Sequence, residues 1–200
     1  MARHGADRAR PDLGGDYLIA AGVVVFASLF VLATRQLRLA ALGLVAVFVA
    51  SNALVLGETP RAEITLSGAA ALAAAATLFL AAGEASFGEE PGWRVWPAIA
   101  ISAVATTLAY RVYLSPDVDP YLQLSAFWLL AIGLGILIAA RGPVRTVIGS
   151  LLMLTGTLDV VRFESGPHLA TSIAFAWVEV VLTLVGAFLI TQQRAFEEQQ

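Results

Sequence analysis

Glu179 stands in the run ATSIAFAWVEVVLTLVGAFLI, an apolar stretch long enough to cross a bilayer, and it is the only charge in that run. A charged side chain at the centre of a membrane helix costs about 2.5–3.5 kcal/mol on insertion scales, so it is rarely idle. Two uses fit a carboxyl in that place. It can take up and release a proton, or it can stay neutral and hydrogen-bond across a helix interface. At helical spacing Ser172, Ala176, Thr183 and Gly186 share the stripe of Glu179, a small and polar face turned from lipid toward protein or water. Ser172 and Thr183 are therefore expected to support the acid. Asp159 is the second candidate for a proton relay. Arg162 follows it by three residues, the spacing of a local ion pair at the membrane boundary. No nucleophile–base pair, phosphate-cradling glycine loop or dinucleotide fingerprint accompanies these acids, so no catalytic residue is predicted.

Composition defines the elements that must position them. Hydrophobic residues make up 58% of the 200, charged residues 14%, and the charges cluster between apolar runs. Each run is about 20 residues long, which is what a helix needs to span the hydrocarbon core. Cys is absent, which removes disulfides, thiolate metal ligands and iron–sulfur clusters. His4 and His168 both lie outside the apolar runs, so a bis-histidine haem within the membrane is excluded as well. All 12 basic residues are Arg, and without Lys there is no amine for a retinal Schiff base. No cofactor and no metal site are expected. The basic residues are scattered over loops and form no nucleic-acid patch.

The predicted architecture is an all-α integral membrane protein with about seven transmembrane helices. Residues 1–16 form a polar N-terminal tail, 17–191 the seven-helix domain and 192–200 a polar C-terminal tail. The spans are predicted at 17–34, 39–57, 64–83, 95–114, 121–140, 144–161 and 169–191. The first is too long for a signal-peptide core and lacks a small-residue cleavage site, so it is read as a helix. Arg35, Arg38, Arg94, Arg141, Arg145 and Arg194 outnumber Arg61, Arg111 and Arg162 on the other side, which places the C-terminus in the cytoplasm and the N-terminus outside.

Compared with itself at an offset of 106, the chain aligns Arg35, Gly43 and Glu58 with Arg141, Gly149 and Glu164. Spans 1–3 and 5–7 then form two parallel three-helix repeats, with span 4 as connector. Small residues suit close helix packing in lipid. Gly43, Ala46, Ala50, Ala53 and Gly57 mark such a face on span 2, and Gly149, Leu152, Gly156 and Asp159 lie on the matching face of span 6; Gly186 belongs to the stripe of span 7. The Ala-rich span 3 is only weakly hydrophobic and is expected inside a bundle or against a partner.

The runs FASLFVLATRQLRLAALG, RGPVRTVIGSLLMLTG and WVEVVLTLVGAFLI resemble the E component of hydrogenase-4 and of related energy-converting hydrogenases. That family is similar over its last three helices to the K subunit of complex I and the C subunit of multisubunit cation/proton antiporters. The resemblance implies an inner-membrane subunit of a respiratory or hydrogenase-like complex, packed against antiporter-like partners and holding no redox centre. It carries the family's last-span acid over to Glu179. The family's other acid, in a Glu-Asn-Gly segment, is replaced here by Leu154-Thr155-Gly156. Two other readings suit the residues: a membrane scaffold or assembly protein whose buried acid fixes helix register, and a small independent transporter.

Overall fold

The computed structural model of the protein describes residues 14–34, 36–56, 59–82, 95–113, 115, 118–140 and 142–197. In hydrocarbon every backbone polar group must be satisfied inside the segment, and the chain responds with helices. They are α1 (Gly14–Ala33), α2 (Leu37–Leu54), α3 (Arg61–Ala82), α4 (Val95–Val112), α5 (Pro120–Ala139), α6 (Pro143–Ser165) and α7 (Leu169–Glu197). All seven are long and apolar enough to cross a membrane. Each predicted span is found, with ends displaced by a few residues; α6 and α7 run four and six residues past their expected ends at 161 and 191.

Local chemistry sets several of these ends. The Asp119 side chain accepts from the Tyr121 amide at 2.8 Å and caps α5, with Pro120 in the first turn where its missing N–H costs nothing. Just before it, the fully buried Gln123 amide clasps the backbone of Ser115 at 2.9 and 3.3 Å, fastening the α4–α5 connection. α6 stops at Gly166, whose φ of 79° lies in the left-handed region that a side chain disfavours.

The helices close into a ring. α1 packs on α2, α2 on α3, α3 on α7, α7 on α6, α6 on α5, and α5 returns to α1; α2 also reaches across to α5 and α6. α4 sits outside the ring against α5. There Ser102 Oγ, buried, lies 2.7 Å from the Ala98 carbonyl and 2.9 Å from that of Ala131 across the interface.

Each helix of the first three thus touches its counterpart in the last three: α1 meets α5, α2 meets α6 and α3 meets α7. Paired ends show that the counterparts run parallel. Ser51 near the end of α2 bonds Asp159 near the end of α6, and Glu63 in the first turn of α3 is bonded by Ser172 in the first turn of α7. The repeat extends to individual contacts. A Cβ on Gly43 would strike Phe30 and approach the Ala27 carbonyl, while one on Gly149 would strike Ile136 and the Gly133 carbonyl. Each glycine and these two partners shift together by the same 106 residues, although the nearest atom to a Cβ on Gly43 belongs to Val31, which has no counterpart at Gly149.

Four of the glycines expected at helix contacts sit at close approaches. Gly43 and Gly149 let α2 and α6 ride on α1 and α5; Gly156 lies against the α5 backbone at Ala126 and Leu130; Gly186 lies against Val147 of α6. Gly57 falls outside the described residues. The span 2 stripe is packed only in part, because Ala53 is exposed. The Ala-rich α3 lies between α2 and α7, with Ala70, Ala71, Ala74 and Ala75 buried.

Candidate functional site

The end of the ring that carries the α2–α3 and α6–α7 connections holds the buried acids. Asp159, 2% exposed, accepts a 2.6 Å hydrogen bond from Ser51 Oγ and faces Arg162 Nη1 at 3.4 Å from its other oxygen. Arg162 is itself only 7% exposed. The spacing of the two predicted their pairing, and near the end of α6 the pair is buried rather than exposed to water. It is turned inward, because this face of α6 meets α2 and α7 rather than lipid. One nitrogen of Arg162 faces Asp159, while its Nε and Nη2 are buried with no hydrogen-bond partner.

A cavity of ≈ 20 Å³, lined by both polar and apolar side chains, opens beside this pair. By the same measure one water needs about 10–15 Å³ together with two to four polar neighbours. Ser51 and Asn52 of α2 and Ser67 of α3 line it from the first repeat; Thr155, Asp159 and Arg162 of α6 and Glu179 of α7 line it from the second. Ser67 Oγ donates to Asn52 Oδ1 at 2.8 Å and ties α3 to α2 along this wall. The cavity therefore lies between the two repeats. Glu179 is ten residues past Leu169, the start of α7, about 15 Å along the axis, a distance equal to about half of a 30 Å hydrocarbon core. Asp159 and Arg162 lie within two turns of the end of α6.

Glu179 is half-buried in the cavity wall. The two residues expected to support it bond elsewhere. Ser172 Oγ donates to Glu63 Oε2 of α3 at 3.0 Å, and Thr183 Oγ1 donates to the Glu179 backbone carbonyl at 2.7 Å. Both hydroxyls are buried, so the stripe on α7 faces protein as its composition implies, but it serves α3 and the helix's own backbone. The other polar side chains that line the cavity with Glu179 come from α2, α3 and α6.

Three of those groups, Ser51, Asn52 and Ser67, were not singled out from the sequence, and neither was Glu63. Glu63 was missed because span 3 was expected to begin at 64; its helical spacing to Ser67, Ala70 and Ala74 is the signal that places it on the buried face. Leu154 and Thr155 both line the cavity. Among the described residues no three His, Cys, Asp or Glu side chains gather as a metal site would require.

Seven helices able to cross a bilayer, with acids and an Arg buried between them, define a multi-pass helical membrane protein. Comparison with protein-family models, with curated proteins and with solved structures finds no match for the chain.

Proposed function

We propose that the chain carries protons across part of the membrane as a subunit of a larger ion-translocating complex, with Glu179 taking up and releasing the proton. The observation that carries this reading is the shared cavity, in which Glu179 and a second acid nearer the helix ends, Asp159, line one space large enough for water. Intramembrane acids that face such a space are the usual carriers in proton relays. Both fully buried acids among the described residues, Asp159 and Glu63, lie at the same end of the bundle, so the path built by this chain covers one half of the membrane. The remaining half falls to partner subunits, for which the resemblance suggests antiporter-like, hydrogenase or complex I-like chains in an inner (plasma) membrane.

The test compares three substitutions in the assembled complex. Glu179→Gln keeps the size and hydrogen bonding of the neutral acid but cannot release a proton. Ion translocation should fall while assembly stays normal, and Glu179→Asp, which still titrates, should retain most of the flux. Glu179→Ala should also weaken packing. Normal pumping by an assembled Glu179→Gln complex would exclude the relay.

A small independent transporter is the second reading, favoured by the position of the cavity between parallel repeats, where transporters built from repeats hold their sites. The purified chain alone in vesicles separates the two. Glu179-dependent proton flux without companions supports the transporter, and stoichiometric co-purification with other membrane subunits supports the complex.

A further inference from the structure

Arg162 brings a buried positive charge into the cavity wall, and its bonding is incomplete. Its contact with Asp159 is 3.4 Å, longer than the roughly 2.7–2.9 Å of a tight charge-assisted hydrogen bond. Its Nε and Nη2 have no acceptor although the side chain is 6% exposed. A buried guanidinium with two idle donors leaves a penalty that a second acceptor would remove. Among the described residues it is the one basic group lining the cavity, and the ionisable acceptor lining it besides Asp159 is Glu179.

We propose that Arg162 is a shared counter-ion which follows the negative charge as one proton passes between Glu179 and Asp159. The inference deepens the relay reading and rests on it. In the first state Glu179 is protonated and Asp159 is a carboxylate paired with Arg162. The O–H bond at Glu179 then breaks and its proton travels through cavity water. A new O–H bond forms at Asp159 Oδ1, the oxygen that Arg162 leaves, while Ser51 keeps its bond to Oδ2. Arg162 turns its free donors to the Glu179 carboxylate. Each carboxyl keeps its electron pairs, and the three groups together are neutral before and after. No step therefore leaves an uncompensated charge in a low-dielectric interior, which is the costly alternative. α7 also packs on α3, whose Glu63 is engaged by Ser172 near the helix ends; α2 contributes only Phe48, Ser51 and Asn52 to the cavity. Arg162 is a positioning residue in this scheme, acting through the two acids.

Protonation of Glu179 can be read without transport. Dicyclohexylcarbodiimide reacts with protonated carboxyls in apolar surroundings, and its adduct on the Glu179 peptide can be quantified by mass spectrometry in membranes holding the full chain. Glu179→Gln assigns the adduct. In Asp159→Asn, Arg162 has Glu179 as its sole acidic partner in the cavity, so labelling on the alkaline side of the Glu179 titration should fall about tenfold, the equivalent of one pKa unit. In Arg162→Gln the labelling should persist to higher pH than in the natural protein, and the double substitution should restore labelling to at least its natural level. A structural Asp159–Arg162 pair would leave Glu179 labelling in Asp159→Asn unchanged at every pH, and that result overturns the proposal. An unchanged pH profile in Arg162→Gln would overturn it independently, should Asp159→Asn fail to fold. Labelling that responds as expected while Glu179→Gln pumps normally would remove the transport reading alone. Unchanged labelling together with lost pumping in Glu179→Gln would remove only the shared counter-ion.

Discussion

At the scale of single residues, polar groups in this molecule work in pairs that join elements far apart in sequence. Glu63 is 3% exposed and its bond from Ser172 is the contact that joins the starts of α3 and α7. Ser172→Ala removes that donor and leaves a buried carboxyl short of a partner, a loss of about 1–3 kcal/mol. The change should show as a lowered unfolding temperature in detergent. Ser172→Thr, which restores a hydroxyl, should recover part of it. Glu179 labelling should be insensitive to both, because Ser172 bonds Glu63 on α3 rather than the Glu179 carboxyl. A fall in Glu179 labelling with Ser172→Ala would show that the hydroxyl serves both acids.

At the scale of helices, close approach is set by missing side chains. A Cβ at Gly156 would lie 2.7 Å from the Leu130 amide nitrogen and 2.8 Å from the Ala126 carbonyl, both backbone atoms that can yield only by moving α5. Gly156→Ala should cost at least the roughly 1–3 kcal/mol typical of overpacking, with less folded protein recovered in detergent. A Cβ on Gly22 of α1 would meet no neighbouring helix within 4 Å, so Gly22→Ala supplies the matched control and should be neutral or slightly stabilising. Equal behaviour of the two variants would remove the packing role of Gly156. Trp128 adds the corresponding polar link, its buried indole donating to Ser28 Oγ of α1 at 2.8 Å. Such a bond is favourable in a membrane protein because the separated groups would face hydrocarbon.

At the scale of the whole molecule, two parallel three-helix units join through like helices, and the joint is chemically asymmetric. Asp159 and Glu179 have Ala53 and Ala73 as counterparts in the first repeat, both exposed. The acids of the two repeats do not match in register, since the buried Glu63 of the first falls opposite Leu169 of the second. The Arg distribution predicts that the cavity end faces outward. The chain has no native Cys, so single cysteines introduced at Glu58 or Asp117 should react with a membrane-impermeant reagent in intact cells, while Gln36 and Gly142 should be protected. The reverse pattern would turn the cavity toward the cytoplasm. Reaction of both sets from outside would overturn the span count.

The seven spans, the mid-span acid and the glycine faces were legible in the amino-acid sequence because each depends on local facts. Hydrocarbon forces every crossing segment to satisfy its own backbone, so length and hydropathy suffice to mark it. Helical spacing alone likewise gathers Ser172, Glu179 and Thr183 on one stripe and puts Arg162 beside Asp159. Only the tertiary structure decided what those stripes meet. Lipid and a packed helix interface are about equally apolar, so hydrophobicity cannot distinguish a lipid-facing surface from a buried one. That is why the spacing could pair Asp159 with Arg162 but not show that the pair is buried where α6 meets α2 and α7. It is also why Ser51, Asn52 and Ser67 became part of the site only when α2 and α3 closed against α6 and α7.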